Sequence, residues 1–155
     1  MEEIYKKYAK KIYNYLLNLT NDEDIAEDLL QETFYSAVKN INKFKHESSV
    51  KTWLYTIAKN KWNDYYKKNK KSSEIQGIEE NLDYLYTTSE EEILDKEELI
   101  SKYRRIHKLD EKSKEIVYLR IGTSFSFKEI AKIVGNTEEN VRVIFHRAKI
   151  KLKED

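Results

Sequence analysis

The side chains in this sequence that could do chemistry are hydrogen-bonding and charged groups, not nucleophiles. Cysteine is absent, the histidines His46, His107 and His146 stand far apart, and no glycine-rich phosphate loop or nucleophile motif occurs. Disulfides, thiolate chemistry and Cys-based zinc sites are therefore excluded, and no enzyme, cofactor or small-molecule substrate is expected. The acidic run Asn21-Asp22-Glu23-Asp24 has no EF-hand glycine or ligand series, so no metal is expected there. Three polar stripes remain. Asp28, Gln31, Glu32 and Tyr35 project from a helical pattern whose other side carries Ala26, Leu30, Phe34, Ala37 and Ile41. Lys51, Lys59, Asn60, Asn63, Lys67 and Lys68 interleave with Trp53, Trp62 and Tyr65, a mixture suited to phosphate contacts and base stacking or capture. Glu138, Glu139, Asn140, Arg142, Val143, His146, Arg147 and Lys149 lie opposite the apolar stripe Val141, Phe145, Ala148 and Leu152. Arg, Asn and Lys so placed can reach base edges or phosphates in a major groove.

Those stripes need helices to hold them. Among 155 residues there is no proline, and glycine occurs only at 77, 122 and 135, which leaves little punctuation for the tight turns of a β protein. An all-α fold is expected. Tyr8, Ile12, Tyr15, Leu16 and Leu19 recur at helical spacing. Asp24 with Glu27 three residues on fits a capping-box pattern at the next helix start. After the break Lys45-His46-Glu47-Ser48-Ser49, the residues Val50, Trp53, Leu54, Ile57, Ala58 and Tyr65 restart a helix with Trp62 partly buried. Further on, Leu109, Ile116, Val117 and Leu119 form a stripe, Gly122 to Ser126 reads as a turn, and Phe127, Ile130, Ala131 and Val134 make a short helix. Gly135 suits the left-handed position after that helix and Thr137 the next N-cap. Short helix, glycine turn and longer amphipathic helix spell a helix-turn-helix. No apolar run approaches the roughly 18 residues needed to span a bilayer, and the N-terminus lacks a signal-peptide core. A cytoplasmic protein without membrane insertion is expected.

The net charge of +1 conceals a division. Residues 1–71 sum to +4, residues 72–108 to −5 and residues 109–155 to +2. Two small helical domains, 1–71 and 93–155, joined by an acidic linker 72–92, account for this better than one bundle with an acidic surface loop.

Two segments then match one family. Ala26-Glu27-Asp28-Leu29-Leu30-Gln31-Glu32-Thr33-Phe34, with Phe44, Thr52 to Asn60 and Asp64 to Lys68, resembles region 2 of bacterial extracytoplasmic-function (ECF) sigma factors of the sigma-70 family. Phe127-Lys128-Glu129-Ile130-Ala131, Gly135, and Asn140-Val141-Arg142 to His146-Arg147-Ala148-Lys149 are similar to their region 4. The resemblance implies an alternative sigma factor that binds core RNA polymerase and directs promoter-specific initiation. Asp28, Gln31 and Glu32 would dock on the β′ clamp helices. The loop holding Phe44, Lys45, His46, Ser48 and Ser49 would capture a flipped minus-10 base, with Lys59, Asn60, Asn63 and Lys67 along the strand. Glu138, Glu139, Asn140, Arg142, Val143, His146, Arg147 and Lys149 would serve the minus-35 element, and region 4 would also rest on the β flap. An anti-sigma factor is an implied partner. Val143 and Ile144 stand where the family usually has Ser and Arg, Asn140 where Thr is frequent, and Asp110 where Leu-Pro is common. A stand-alone helix-turn-helix regulator and a helical protein-interaction adaptor are the alternatives. The N-terminal domain, which a simple regulator does not need, separates the first of these from a sigma factor.

Overall fold

The computed structural model describes residues 1–69, 101 and 104–153. The expected acidic linker 72–92 and the start of the second domain at Ile93 lie outside the described residues. The chain divides into two compact units, Met1–Gln76 and Gly77–Asp155. Among the described residues, the regular elements are all helical.

The first unit packs three helices, α1 (Glu2–Thr20), α2 (Glu23–Asn40) and α3 (Val50–Asn69), each against the other two. Ile12, Tyr15, Leu16 and Leu19 of α1 meet Ala26, Leu30, Phe34 and Ala37 of α2, and Leu54, Tyr55 and Ala58 of α3 complete the core. Tyr15 lies against Tyr55 with ring centroids 5.2 Å apart, and Tyr5 packs edge-on against Phe34 at 4.9 Å. Burial pushes the Tyr55 phenol well above its ordinary range, so it is neutral at any physiological pH. Ile57 and Trp53, read from periodicity as core, are half-buried, because α3 is covered along a narrower stripe.

Two details at the helix ends correct the sequence reading. The N-cap of α2 is Asp22, not Asp24: its Oδ1 accepts from the backbone N–H groups of Asp24 and Ile25 at 2.9 and 3.1 Å. Asn21 takes a left-handed conformation, φ 55°, and closes α1 by donating its N–H to the Leu17 carbonyl. That sharp reversal fixes the start of α2 two residues earlier than the Asp24-Glu27 pattern suggests. Ile41 is exposed instead of buried, because α2 ends at Asn40 and the chain tightens into a 3-10 turn over Ile41–Lys43.

The second unit contains α4 (Glu111–Val117), a π-helical turn over Tyr118–Gly122, α5 (Phe127–Val134) and α6 (Glu138–Lys153). Residues 104–107, immediately upstream, are also helical. Ile116, Val117, Leu119, Phe125, Ile130, Ile133, Val141, Phe145 and Ala148 form its core. Phe125 and Ile133 belong there although the 3.6 period did not select them, while Leu109, Phe127, Val134 and Leu152 are half-buried. Ser126 caps α5 in a reciprocal box: its Oγ accepts from the Glu129 N–H at 3.1 Å, and Glu129 Oε1 accepts from the Ser126 N–H at 2.9 Å. Gly135 adopts φ 71° and ends α5, and the Thr137 Oγ1 accepts from the Asn140 N–H at 3.1 Å to start α6. The expected helix-turn-helix is thus present, with glycine and threonine in the expected places.

Candidate partner and nucleic-acid interfaces

The α2 stripe stands as expected. Asp28, Gln31 and Glu32 are exposed, and Tyr35 is 72 % exposed, a large aromatic left in solvent. Beside them runs an open cleft of about 610 Å³ between α2 and α3. Its α3 wall carries Lys61, Asp64, Tyr65 and Lys68. Local spacing puts Lys68 with the basic stripe of α3 and does not bring Lys61 and Asp64 to the site. The interhelical packing that makes the cleft has no signature in local spacing.

The loop between α2 and α3 is organised by aromatic stacking. Phe44 lies parallel to the Trp53 indole, with centroids 4.8 Å apart at 21°, and His46 covers it at 4.4 Å. His46 reaches that position with a left-handed backbone, φ 57°. Ser49 accepts from the Thr52 N–H at 3.1 Å and so fixes the first turn of α3. Lys45, His46 and Ser49 remain exposed and Ser48 is half-buried. Along α3, Asn60 and Lys67 are exposed, Lys59 and Asn63 half-buried. A pre-stacked ring system beside amides and cations can receive an unstacked base and its phosphates without first ordering the loop.

On α6, the exposed face holds Glu139, Asn140, Arg142, Val143, His146, Arg147 and Lys149, with Glu138 half-buried. Two of these residues pair with each other: Arg142 Nη2 lies 2.8 Å from Glu138 Oε1. The Arg142 guanidinium also lies 5.0 Å from the Phe127 ring centre, and Arg120 approaches the same ring at 4.2 Å. Arg120 is held in turn by a 2.9 Å bond from Nη1 to the Phe125 carbonyl. Asn140 donates to the Asn136 side-chain oxygen at 3.2 Å. On α6 the Arg142 guanidinium is thus held in place by Glu138 and by the Phe127 ring. The i, i+4 spacing of Glu138 and Arg142 could have revealed the ion pair; the Phe127 contacts come from tertiary packing and could not.

Among the described residues, no group of His, Cys, Asp or Glu could hold a metal ion. None of the described helices is long and apolar enough to cross a membrane.

The chain thus pairs a three-helix unit, with an acid-and-amide face and an aromatic-stacked loop, with a helix-turn-helix unit. The Sigma-70 region 2 family matches residues 4–72, and the Sigma-70 region 4 family matches residues 105–154. The chain is 32 % identical to the RNA polymerase sigma factor YlaC of Bacillus subtilis, over all of this chain and 91 % of that protein. It is also 32 % identical to the ECF RNA polymerase sigma factor SigM of the same organism, over 99 % of this chain and 93 % of that one. In fold it is similar to the sigma factor RpoE of Bartonella quintana, solved in complex with the anti-sigma factor NepR. That match has a TM-score of 0.74 and 21 % identity, and covers 99 % of this chain and 94 % of that one. The fold of CnrH, solved with the cytosolic domain of CnrY, is also similar, with a TM-score of 0.68 at 20 % identity over 97 % and 83 % of the two chains. The chain belongs to the sigma-70 family, in its ECF group. It is a promoter-specificity subunit of RNA polymerase.

Proposed function

We propose that the two units divide promoter recognition between them. Residues 1–71 bind core polymerase through Asp28, Gln31 and Glu32 on the β′ clamp helices, and read and melt the minus-10 element. There, Phe44, Lys45, His46, Ser48 and Ser49 receive the flipped base, and Lys59, Asn60, Asn63 and Lys67 follow the strand. Residues 93–155 read the minus-35 element through Glu138, Glu139, Asn140, Arg142, Val143, His146, Arg147 and Lys149, and rest on the β flap. The acidic stretch 72–92 connects them.

The observation that carries this reading is the Trp53-Phe44-His46 stack, set between an exposed acid-and-amide face on α2 and a polar stripe on α3. A regulator that reads duplex DNA alone has no use for a base-stacking loop on a separate unit. Binding is the only chemistry this assignment requires, so the chain acts without catalysing a reaction of its own, in the cytoplasm where polymerase and promoter are found. RpoE was solved with the anti-sigma factor NepR and CnrH with the cytosolic domain of CnrY, and we include an anti-sigma factor among the partners of this chain.

Reconstitution tests the reading. Core polymerase supplemented with the protein is expected to start transcription at defined 5′ ends on genomic templates that core alone leaves silent. Replacing Asp28 and Gln31 by Ala is expected to abolish co-purification with core while the circular dichroism spectrum stays helical. Absence of any initiated template would overturn the proposal.

A further inference from the structure

We infer that core polymerase inserts a segment into the α2–α3 cleft, and that Lys61, Asp64 and Lys68 of α3 are its second row of contacts. This rests on the proposed role of Asp28 and Glu32 and extends it across the cleft. The space between the helices is about 610 Å³, and both walls carry charge. Asp28 and Glu32 line the α2 side, with Lys61, Asp64 and Lys68 on the α3 side. Among the described residues, no ion pair joins Asp28, Glu32 or Asp64 to Lys61 or Lys68 in the cleft. Opposite charges that face each other across an open groove without pairing are available to an incoming group.

The charge pattern selects the occupant. Three carboxylates in one cleft repel a phosphate backbone, so the lysines here do not serve the promoter strand. A protein segment with cations toward Asp28, Glu32 and Asp64, carboxylates toward the two lysines, and an apolar edge over Tyr65 satisfies every charged group. Such a two-signed arrangement also fixes the direction in which the segment lies, since reversing it sets like charges against each other. The cleft is continuous with the exposed α2 face assigned to core, and core polymerase is the partner that this family binds.

The experiment titrates labelled full-length protein with purified core polymerase. Lys61→Glu combined with Lys68→Glu is expected to weaken core binding tenfold or more, as Asp28→Ala does. Saturating core is expected to restore transcription, because a docking defect is overcome by concentration and a promoter-contact defect is not. If Asp28→Ala weakens binding and the lysine pair does not, the inference is overturned while the proposed function stands. If neither weakens it, the α2 assignment itself falls. A loss of transcription that persists at saturating core would place the lysines on DNA and overturn the inference. Should the charge reversal disturb the helical spectrum, Lys61→Gln with Lys68→Gln decides: at least threefold weaker core binding supports the second row, and unchanged affinity refutes it.

Discussion

At the scale of single residues, α6 shows how modest interactions can hold a side chain ready for the role proposed for it. Arg142 is held by Glu138 and by the Phe127 ring, yet an exposed i, i+4 pair contributes only about 0.3–0.5 kcal/mol. A good bidentate base contact is worth about 1–3 kcal/mol, so in the proposed minus-35 complex DNA would win the guanidinium from Glu138. Arg142→Ala is accordingly expected to cost about 1–3 kcal/mol of minus-35 affinity, measured with holoenzyme on promoters mutated one base pair at a time. The variant should lose discrimination at one position. His107 gives a second residue-scale prediction. Burial first, then the nearby Lys114 charge, lower its pKa below the ordinary 6.5, with Glu111 acting in the opposite sense. The folded state therefore prefers the neutral ring, and its stability is complete above the unfolded value and declines as pH falls below it. The melting temperature is expected to drop between about pH 7 and 5, and His107→Gln should flatten that slope. Asp110, whose pKa is lowered chiefly by its hydrogen bonds to Ser113, contributes in a separate window, losing its stabilisation only as pH falls through the acidic carboxylate range.

At the scale of elements, the helix-turn-helix was legible wherever one residue decides the backbone. Gly135 at φ 71° and the Thr137 cap are local chemistry, and local chemistry can be read along the chain. Ser126 and Glu129 also have capping-box spacing, although along the sequence Ser126 reads only as the end of a turn, and the bonds they form hold the start of α5. Ser126→Ala is expected to destabilise the second unit by about 1 kcal/mol, visible as a shifted denaturation midpoint with unchanged slope. Periodicity misled where an element stopped: Ile41 fits the α2 stripe by count, but the helix ends at Asn40 and the tighter turn rotates it outward. Spacing was also silent on contacts across loops. Phe44 meets Trp53 because the intervening segment folds back, and the α2–α3 cleft exists only because two helices lie side by side.

For the whole molecule, the distribution of charge matters more than its sum. The +1 total joins basic segments at 1–71 and 109–155 to an acidic 72–108. A weak net field gives the free protein little counter-ion release on DNA, leaving the polymerase to supply most of the affinity. The free full-length protein is therefore expected to retard promoter DNA only weakly, and to lose that binding between roughly 50 and 200 mM salt, while holoenzyme remains bound. Tight, sequence-specific retardation by the free chain would contradict this.

Lys114 is the one buried lysine among the described residues, 2 % exposed, with its ammonium 3.4 Å from Glu111. In a protein with 24 lysines, most of those described are open to solvent and to amine-reactive reagents. Lys114 should resist acylation until the second unit opens. Its labelling rate, followed by mass spectrometry in the intact polymerase complex, would serve as a built-in clock for that opening.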